Sequence, residues 1–481
     1  MKHKIALLPI DNRPASYLLP QEIAEFSGID LILPERDFLG NLDKAADLNY
    51  VENWLKKNSD ADLFIIALDT WVYGSLVQSR KHNMELNILK EKTHKLKSLI
   101  ASPIYGFSTV MRIPHYNGSD EEKDYWNLYG EKIYNWSCLM HRVGKGILLP
   151  GETHDDLLDK WYKSFHEVPA EILADYKGLR DKNFLVNIEW LNLIEKEDLD
   201  YLIFSCDDSG EYGLNVFERE YLKSETQKNH LSKKIKTISG TDEIPCVLLT
   251  KAMLEKAKTT PNLNITFSND TGYHEISKYE SGSIFDSLMN EFEALGLEDL
   301  NNKNSDLEIF IHVAPGKQGD HIFKDISPDT KLDAEKLIEK IEELTNPFIL
   351  IDLAYANGSD PNLIDSLLKS KINIKNFYGY AGWNTSSNSI GSALSIGINR
   401  WLSERNNNFD LELFKKCIFT RLLDDYAYQS QIRHKNITEH EINDKIKPYA
   451  ERISNFLELK NIKVEYKLPW KRSFEIEINV L

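Results

Sequence analysis

Positive charge is scarce in this chain. Lys and Arg number 58 against 75 Asp and Glu, a formal net charge of −17 over 481 residues. Phosphate backbones and anionic lipid bind to positive surface, so neither nucleic acid nor a membrane is an expected partner. A local basic pocket is still compatible with that balance. Cysteine is nearly missing: Cys138, Cys206, Cys246 and Cys417 lie far apart and form no CxxC pair. This argues against a disulfide framework and against a thiolate zinc site. No apolar run approaches the ~20 residues of a membrane-spanning helix. The first apolar stretch, residues 5–10, is too short for the core of a secretion signal and ends at Asp11 and Arg13. A cytoplasmic protein is therefore expected. A GxxxxGK[ST] loop, a GxGxxG after the first strand, HExxH and GxSxG are all missing, so nucleotide binding has no signal. His115, His274 and His312 fall near strand ends without metal-ligand spacing and read as structural. No cofactor and no resident metal are expected, while Mg²⁺ or Ca²⁺ held by Asp, Asn and Glu stays open as an alternative.

What the chain does have is an ordinary folded composition, 42% hydrophobic and 28% charged, with length enough for two or three domains. Strand-like runs alternate with helix-like ones over about 400 residues, the mark of a mainly parallel α/β fold. The strands are expected at residues 5–10, 31–33, 63–68, 106–111, 201–206, 236–239, 265–267, 308–313, 348–351 and 377–380. The organisation expected is a (β/α)-barrel-like domain over 1–255 with a helical insertion at about 120–192. A second α/β portion over 262–400 contributes to the site. A helical region over 401–481 ends in a β-hairpin. Trp126, Trp136, Trp161 and Trp190 of the insertion serve either as a lid or as core.

Many of these strands end in acids or amides. In α/β folds ligands sit at the carboxyl ends of parallel strands, so such residues read as one pocket assembled from distant segments. The sharpest case is Asp207-Asp208 after the run 201–206, followed by a loop containing Tyr212. Two adjacent carboxylates repel, which raises one pKa and suits acid catalysis; the same doublet would also serve as a helix N-cap beside a solvated neighbour. The second case is Trp383-Asn-Thr-Ser-Ser-Asn388, where Asn384 and Asn388 offer amides to sugar hydroxyls and Trp383 an apolar plate, or where a helix simply begins. Third, Arg13 on a turn between Asn12 and Pro14 grips either an anion or Asp11. Further substrate-binding candidates are Asp69 and Tyr73, Arg112, Asp242 and Glu243, and Asp352 with Asn357.

In order along the chain, LLPIDNRP, LILPERDFLGN, ALDTWVYGSLVQSR, VMRIP, DDSGEYGLN, SGTDEIPCVLLTKA, DLAYANGSD, YAGWNTSSNSIGSAL, RLLDDYAYQ and LPWKRSFEIE resemble a bacterial family catalogued as domain of unknown function 4127. They run from Leu7 to Glu477, which implies one full-length architecture. The Asp doublet at a strand end, with an Asn-rich loop at a later strand, is similar to O-GlcNAcase-type β-N-acetylglucosaminidases. That resemblance implies substrate-assisted hydrolysis: Asp207 orients the acetamide, Asp208 is the acid and then the base, and Asn384 and Asn388 bind hydroxyls. The chain departs from that pattern where Glu35 and Arg36 follow the second strand in place of a lysine. The expected function is thus a carbohydrate-active hydrolase with a small-molecule sugar substrate, acting on an N-acetylated amino sugar. The alternatives are a metal-dependent hydrolase using Asp207, Asp208 and Asp11, and a non-catalytic sugar-binding or regulatory protein.

Overall fold

The computed structural model describes residues 3–206, 210–297, 305–323, 325–435 and 439–481. Strands β1 (Lys4–Leu8), β2 (Asp30–Ile32), β3 (Leu63–Ala67), β4 (Ile104–Val110), β5 (Tyr201–Cys206) and β6 (Ile235–Ser239) form one parallel sheet in the order β2-β1-β3-β4-β5-β6. Strands β7 (Leu263–Phe267), β8 (Leu307–His312), β9 (Gly319–Asp320), β10 (Phe348–Asp352), β11 (Tyr355–Ala356) and β12 (Phe377–Ala381) follow. Of these, β12-β10-β8-β7 make a second parallel sheet, and β9 pairs with β11 alone. The mainly parallel α/β architecture expected from the sequence is present, with a strand at every expected position. The first sheet is open, with β2 and β6 as its edges, so its likeness to a barrel lies in the repeated β/α alternation.

The apolar runs became strands because both of their faces are covered. β3, β5, β8, β10 and β12 are buried along their whole length, which is what near-continuous apolar runs require in a sheet coated by helices. From β1 the chain steps outward to β2 and then returns past β1 to β3. The strand order therefore reverses between β1 and β3, the place where open α/β sheets take their ligands.

The two sheets share one core. Helix Ile244–Ala257 packs on helices Pro14–Ser27 and Ser386–Arg405. The same apolar cluster contains Ile5 and Leu7 of β1 as well as Ile309 of β8 and Ile349 of β10. Helix Ser386–Arg405 approaches the second sheet closely at two glycines. A Cβ on Gly379 would stand 2.6 Å from the Ala393 carbonyl oxygen, and one on Gly397 would meet the side chain of Ile349.

The insertion consists of helices Trp126–Lys145, His154–Phe165 and Ala170–Glu195. Trp126, Trp136 and Trp190 are buried there, the core role among the two expected for them. Arg180 fastens the longest of these helices: its guanidinium makes bonds of 2.7 and 2.8 Å to Glu218 and one of 2.7 Å to the Met111 carbonyl. Past residue 410, helix Leu411–Arg421 widens into a π-helical segment, Leu422–Ile432. Helix Glu439–Phe456 follows, and then β13 (Val464–Lys467) and β14 (Glu477–Val480) pair antiparallel. Among the described residues no helix is long and apolar enough to cross a membrane.

Candidate functional site

The turn after β1 is built around Asp11. Its carboxylate accepts from the Arg13 backbone N–H (3.0 Å), Arg13 Nε (2.8 Å) and Ser16 Oγ (2.8 Å), just before Pro14 opens a helix. The Arg13 guanidinium then reaches Asp242 beyond β6, at 2.6 and 3.2 Å, and Glu475 near the end of the chain, at 3.1 Å. One side chain thus joins three distant segments. Burial holds the Glu475 carboxyl above its usual range; Arg13 opposes this, while Asp242 and Asp11 add to it.

A second hub lies beside the first. Glu121 accepts from Arg80 (2.8 Å), Arg112 (2.9 Å) and Arg472. Burial works against its charge, but these guanidinium groups win and hold its carboxyl well below the usual range. Its neighbour Glu122, at 3.0 Å from Arg112 Nε, is shifted upward because burial outweighs its partners.

Between the hubs lies a cavity of about 280 Å³ at the carboxyl ends of strands from both sheets. Arg13, Arg112, Asp242, Asn357 and Asn384 line it together. Both asparagines take left-handed backbone angles, φ 61° and 70°, which Asn tolerates better than most residues. The Asn357 N–H donates to the Asn384 carbonyl at 2.9 Å, so the two loops hold each other in place. Tyr116, Phe323 and Phe474 supply aromatic wall. A second cavity of about 280 Å³ adjoins the first, sharing His115, Tyr116, Tyr279 and Phe323, and continuing along Tyr134, Glu280, Asp320 and Gly210.

Asp207 and Asp208 lie outside the described residues. Their nearest described neighbours in sequence are Cys206, which ends β5, and Gly210 on the wall of the second cavity.

The remaining candidates stand apart from this space. Asp69 is buried and accepts from Thr109 N–H and Oγ1 at 2.8 and 2.9 Å; Tyr73 stacks on the His82 ring at 4.7 Å. Both belong to the buried helix Leu68–Tyr73, which follows β3 directly. Tyr212 sits against the insertion, its carbonyl 3.2 Å from Cys138 Sγ. Asp352 accepts the Asp360 N–H at 2.7 Å, and Asp360 in turn pairs with buried His312 at 2.8 Å. Trp383 is not an open plate. Only 6% exposed, it meets Phe474 edge-on at 5.6 Å. With Glu243 and Asn388 it lines a pocket of about 20 Å³, far too small for a sugar. Asn388 lies in the first turn of helix Ser386–Arg405, bonded to the N-cap Thr385. Burial and the charge of Glu291 push the Glu243 carboxyl well above its usual range.

The sequence reading missed Arg433, Arg472, Phe474, Glu475 and Glu121. The signal for three of them was the segment LPWKRSFEIE, whose charges and aromatics fall between two short strands. A larger cavity, about 610 Å³, opens at the opposite, amino ends of the strands among Gly28, Met253, Lys256 and Asn408. It lies away from the strand ends where α/β folds place ligands, and none of the acid–guanidinium hubs reaches it. Among the described residues no group of three or more His, Cys, Asp or Glu is placed to hold a metal ion. Both oxygens of Asp11 are engaged as described.

Fold and site together define a parallel α/β protein with a polar, arginine-rich cavity shared by two sheets. The chain belongs to the family described as Protein of unknown function (DUF4127), whose model matches residues 5–479. Neither the curated proteins nor the solved structures give a match.

Proposed function

We propose that this protein is a cytoplasmic carbohydrate-active hydrolase whose substrate occupies the paired cavities. The observation that carries the reading is the convergence of Asp242, Asn357 and Asn384, each from a loop beyond a different strand, on a space walled by Tyr116 and Phe323. Sugars are recognised by fixed donors and acceptors for their hydroxyls and by aromatic faces for their C–H groups. Asn357 and Asn384 serve the first need and the rings the second. Asp208 is the proposed proton donor to the leaving oxygen, and Asp207 the residue that orients a neighbouring acetamide on the substrate. The acetamide oxygen then closes on the anomeric carbon, and Asp208, now the base, draws the proton from the water that reopens the ring.

The test is hydrolysis of fluorogenic glycosides, N-acetylated and plain, by the full chain and by Asp208→Asn and Asn384→Ala. Asp208→Asn should lower kcat on the order of 10²-fold or more, and Asn384→Ala should act mainly on KM. Turnover confined to N-acetylated sugars supports the acetamide route. Full activity in Asp208→Asn removes that residue as the acid. Activity abolished by chelator moves the case to a metal-dependent hydrolase, and sugar binding without turnover to a binding protein.

A further inference from the structure

The first cavity carries cations of two kinds. Arg13 and Arg112 are neutralised within the protein by Asp11, Asp242, Glu475, Glu121 and Glu122. Arg472 only shares Glu121 with Arg80 and Arg112, and Arg433 makes no ion pair among the described residues. Both guanidinium groups lie against the ring of Phe474, 4.9 and 5.0 Å from its centroid. Arg472 reaches Glu121 through Nη1, while its Nη2 is buried and without a hydrogen-bond partner. Arg433 donates to the neutral Gln429 side chain at 3.0 Å, and among the described residues no carboxylate lies within ion-pair distance of it. Burial disfavours the Arg433 cation and Arg472 adds like-charge repulsion, opposed by Tyr428 and by the more distant carboxylates of Asp424 and Glu475. Two guanidinium groups held on one ring, with a buried donor left over, are costly unless something anionic joins them. A neutral hydroxyl fills one donor only, whereas an oxyanion answers both guanidinium forks.

Resting on the carbohydrate reading of this site, we propose that the substrate is a sugar bearing an oxyanion, seated between Arg433 and Arg472. The charged sugar fills the arginine-lined cavity. The next residue of the substrate extends past His115, Tyr116 and Tyr279 into the adjoining one. The bond to be cut then lies near that shared wall. The oxyanion is either a sugar-acid carboxylate or a phosphate or sulfate ester, since both present the same acceptor chemistry to the pair.

The test is calorimetric titration of the full chain with hexuronic acids, sialic acid, hexose 6-phosphates and hexose 6-sulfates, each beside its neutral parent sugar and beside inorganic phosphate and sulfate. At least one anionic sugar should bind about tenfold or more tightly than its parent, the worth of a charge-assisted hydrogen bond. Which series binds decides between carboxylate and ester. Arg433→Gln and Arg472→Gln should each remove most of that preference for the anionic sugar over its parent; Arg433→Lys should restore part of it. If one glutamine variant fails to fold, the other still decides, and raised salt should weaken the anionic sugar selectively. The proposal falls if no anionic sugar binds, if neutral parents bind equally well, if the preference survives both substitutions, or if inorganic phosphate or sulfate alone binds as tightly as the sugar ester. Charge-selective binding without any glycoside turnover would sink the hydrolase reading and keep the anion seat. Turnover of neutral glycosides only would do the reverse.

Discussion

Arg13 shows how much one side chain can carry. Removing its charge strands Asp11, Asp242 and Glu475 as buried carboxylates that have lost their common partner. Breaking a buried ionic cluster from one side costs about 3–5 kcal/mol. Arg13→Gln should lose stability on that scale in urea unfolding at neutral pH; a loss under about 1 kcal/mol would show that the cluster does not depend on it. Asp69 makes a pH prediction. Burial raises its pKa to about 6, against the hydrogen bonds from Thr109. Because the folded-state value lies above the unfolded one, its contribution is fully present below the unfolded pKa, near 4, and is lost as pH rises through about 6. Asn can keep both Thr109 bonds. The stability of the wild type relative to Asp69→Asn should therefore fall by on the order of 3 kcal/mol between pH 4 and pH 7, and parallel curves would refute it. At this scale the sequence was informative where a polar residue follows a strand without entering a helix. Arg13, Arg112, Asp242, Asn357 and Asn384 line the cavity, whereas Asp69, Tyr73 and Asn388 were drawn into helices that begin at once.

At the scale of elements, alternation of apolar runs was enough to find the strands, because burial of both faces leaves a plain signature in composition. Helical detail was harder. The helical region expected over 401–481 is present, but its regular helix Leu411–Arg421 gives way to a π segment. The cause is tertiary: the Asp425 carbonyl accepts from Ser359 N–H at 2.9 Å and its side chain from Gly382 N–H at 2.8 Å. Those partners lie in loops of the second sheet, and no local periodicity announces them. The segment ends next to Arg433, so this widened turn also sets where that guanidinium emerges. The contact between helix Ser386–Arg405 and β12 yields a paired prediction. Gly379→Ala would drive a methyl against backbone oxygen, which cannot yield, and should cost about 1–3 kcal/mol in urea unfolding. Gly397→Ala meets Cδ1 and Cγ1 of the buried Ile349 side chain, which can shift where a backbone oxygen cannot, and should cost less. The opposite ranking would mean that the helix, and not the side chain, gives way.

For the whole molecule, the decisive feature is a core that does not stop at the boundary between sheets. Far-ultraviolet circular dichroism and tryptophan fluorescence should therefore report coincident unfolding transitions, since helix Ile244–Ala257 belongs to both halves. Two separated transitions would show that the sheets are independent. This is also the scale at which the sequence was least readable. Nothing in the runs around Arg13, Glu121, Arg433 and Arg472 says that they meet, because convergence is a property of the packed chain and leaves no local pattern. The apolar and polar roles of LPWKRSFEIE become visible only when β13 and β14 bring it back over the start of the chain.

Arg13 meets Glu475 across 462 residues of sequence. A polypeptide emerging from the ribosome completes both sheets long before it makes that wall. A chain that stops short of this segment lacks Arg472, Phe474 and Glu475, so whatever the cavity does waits on a stretch made well after both sheets.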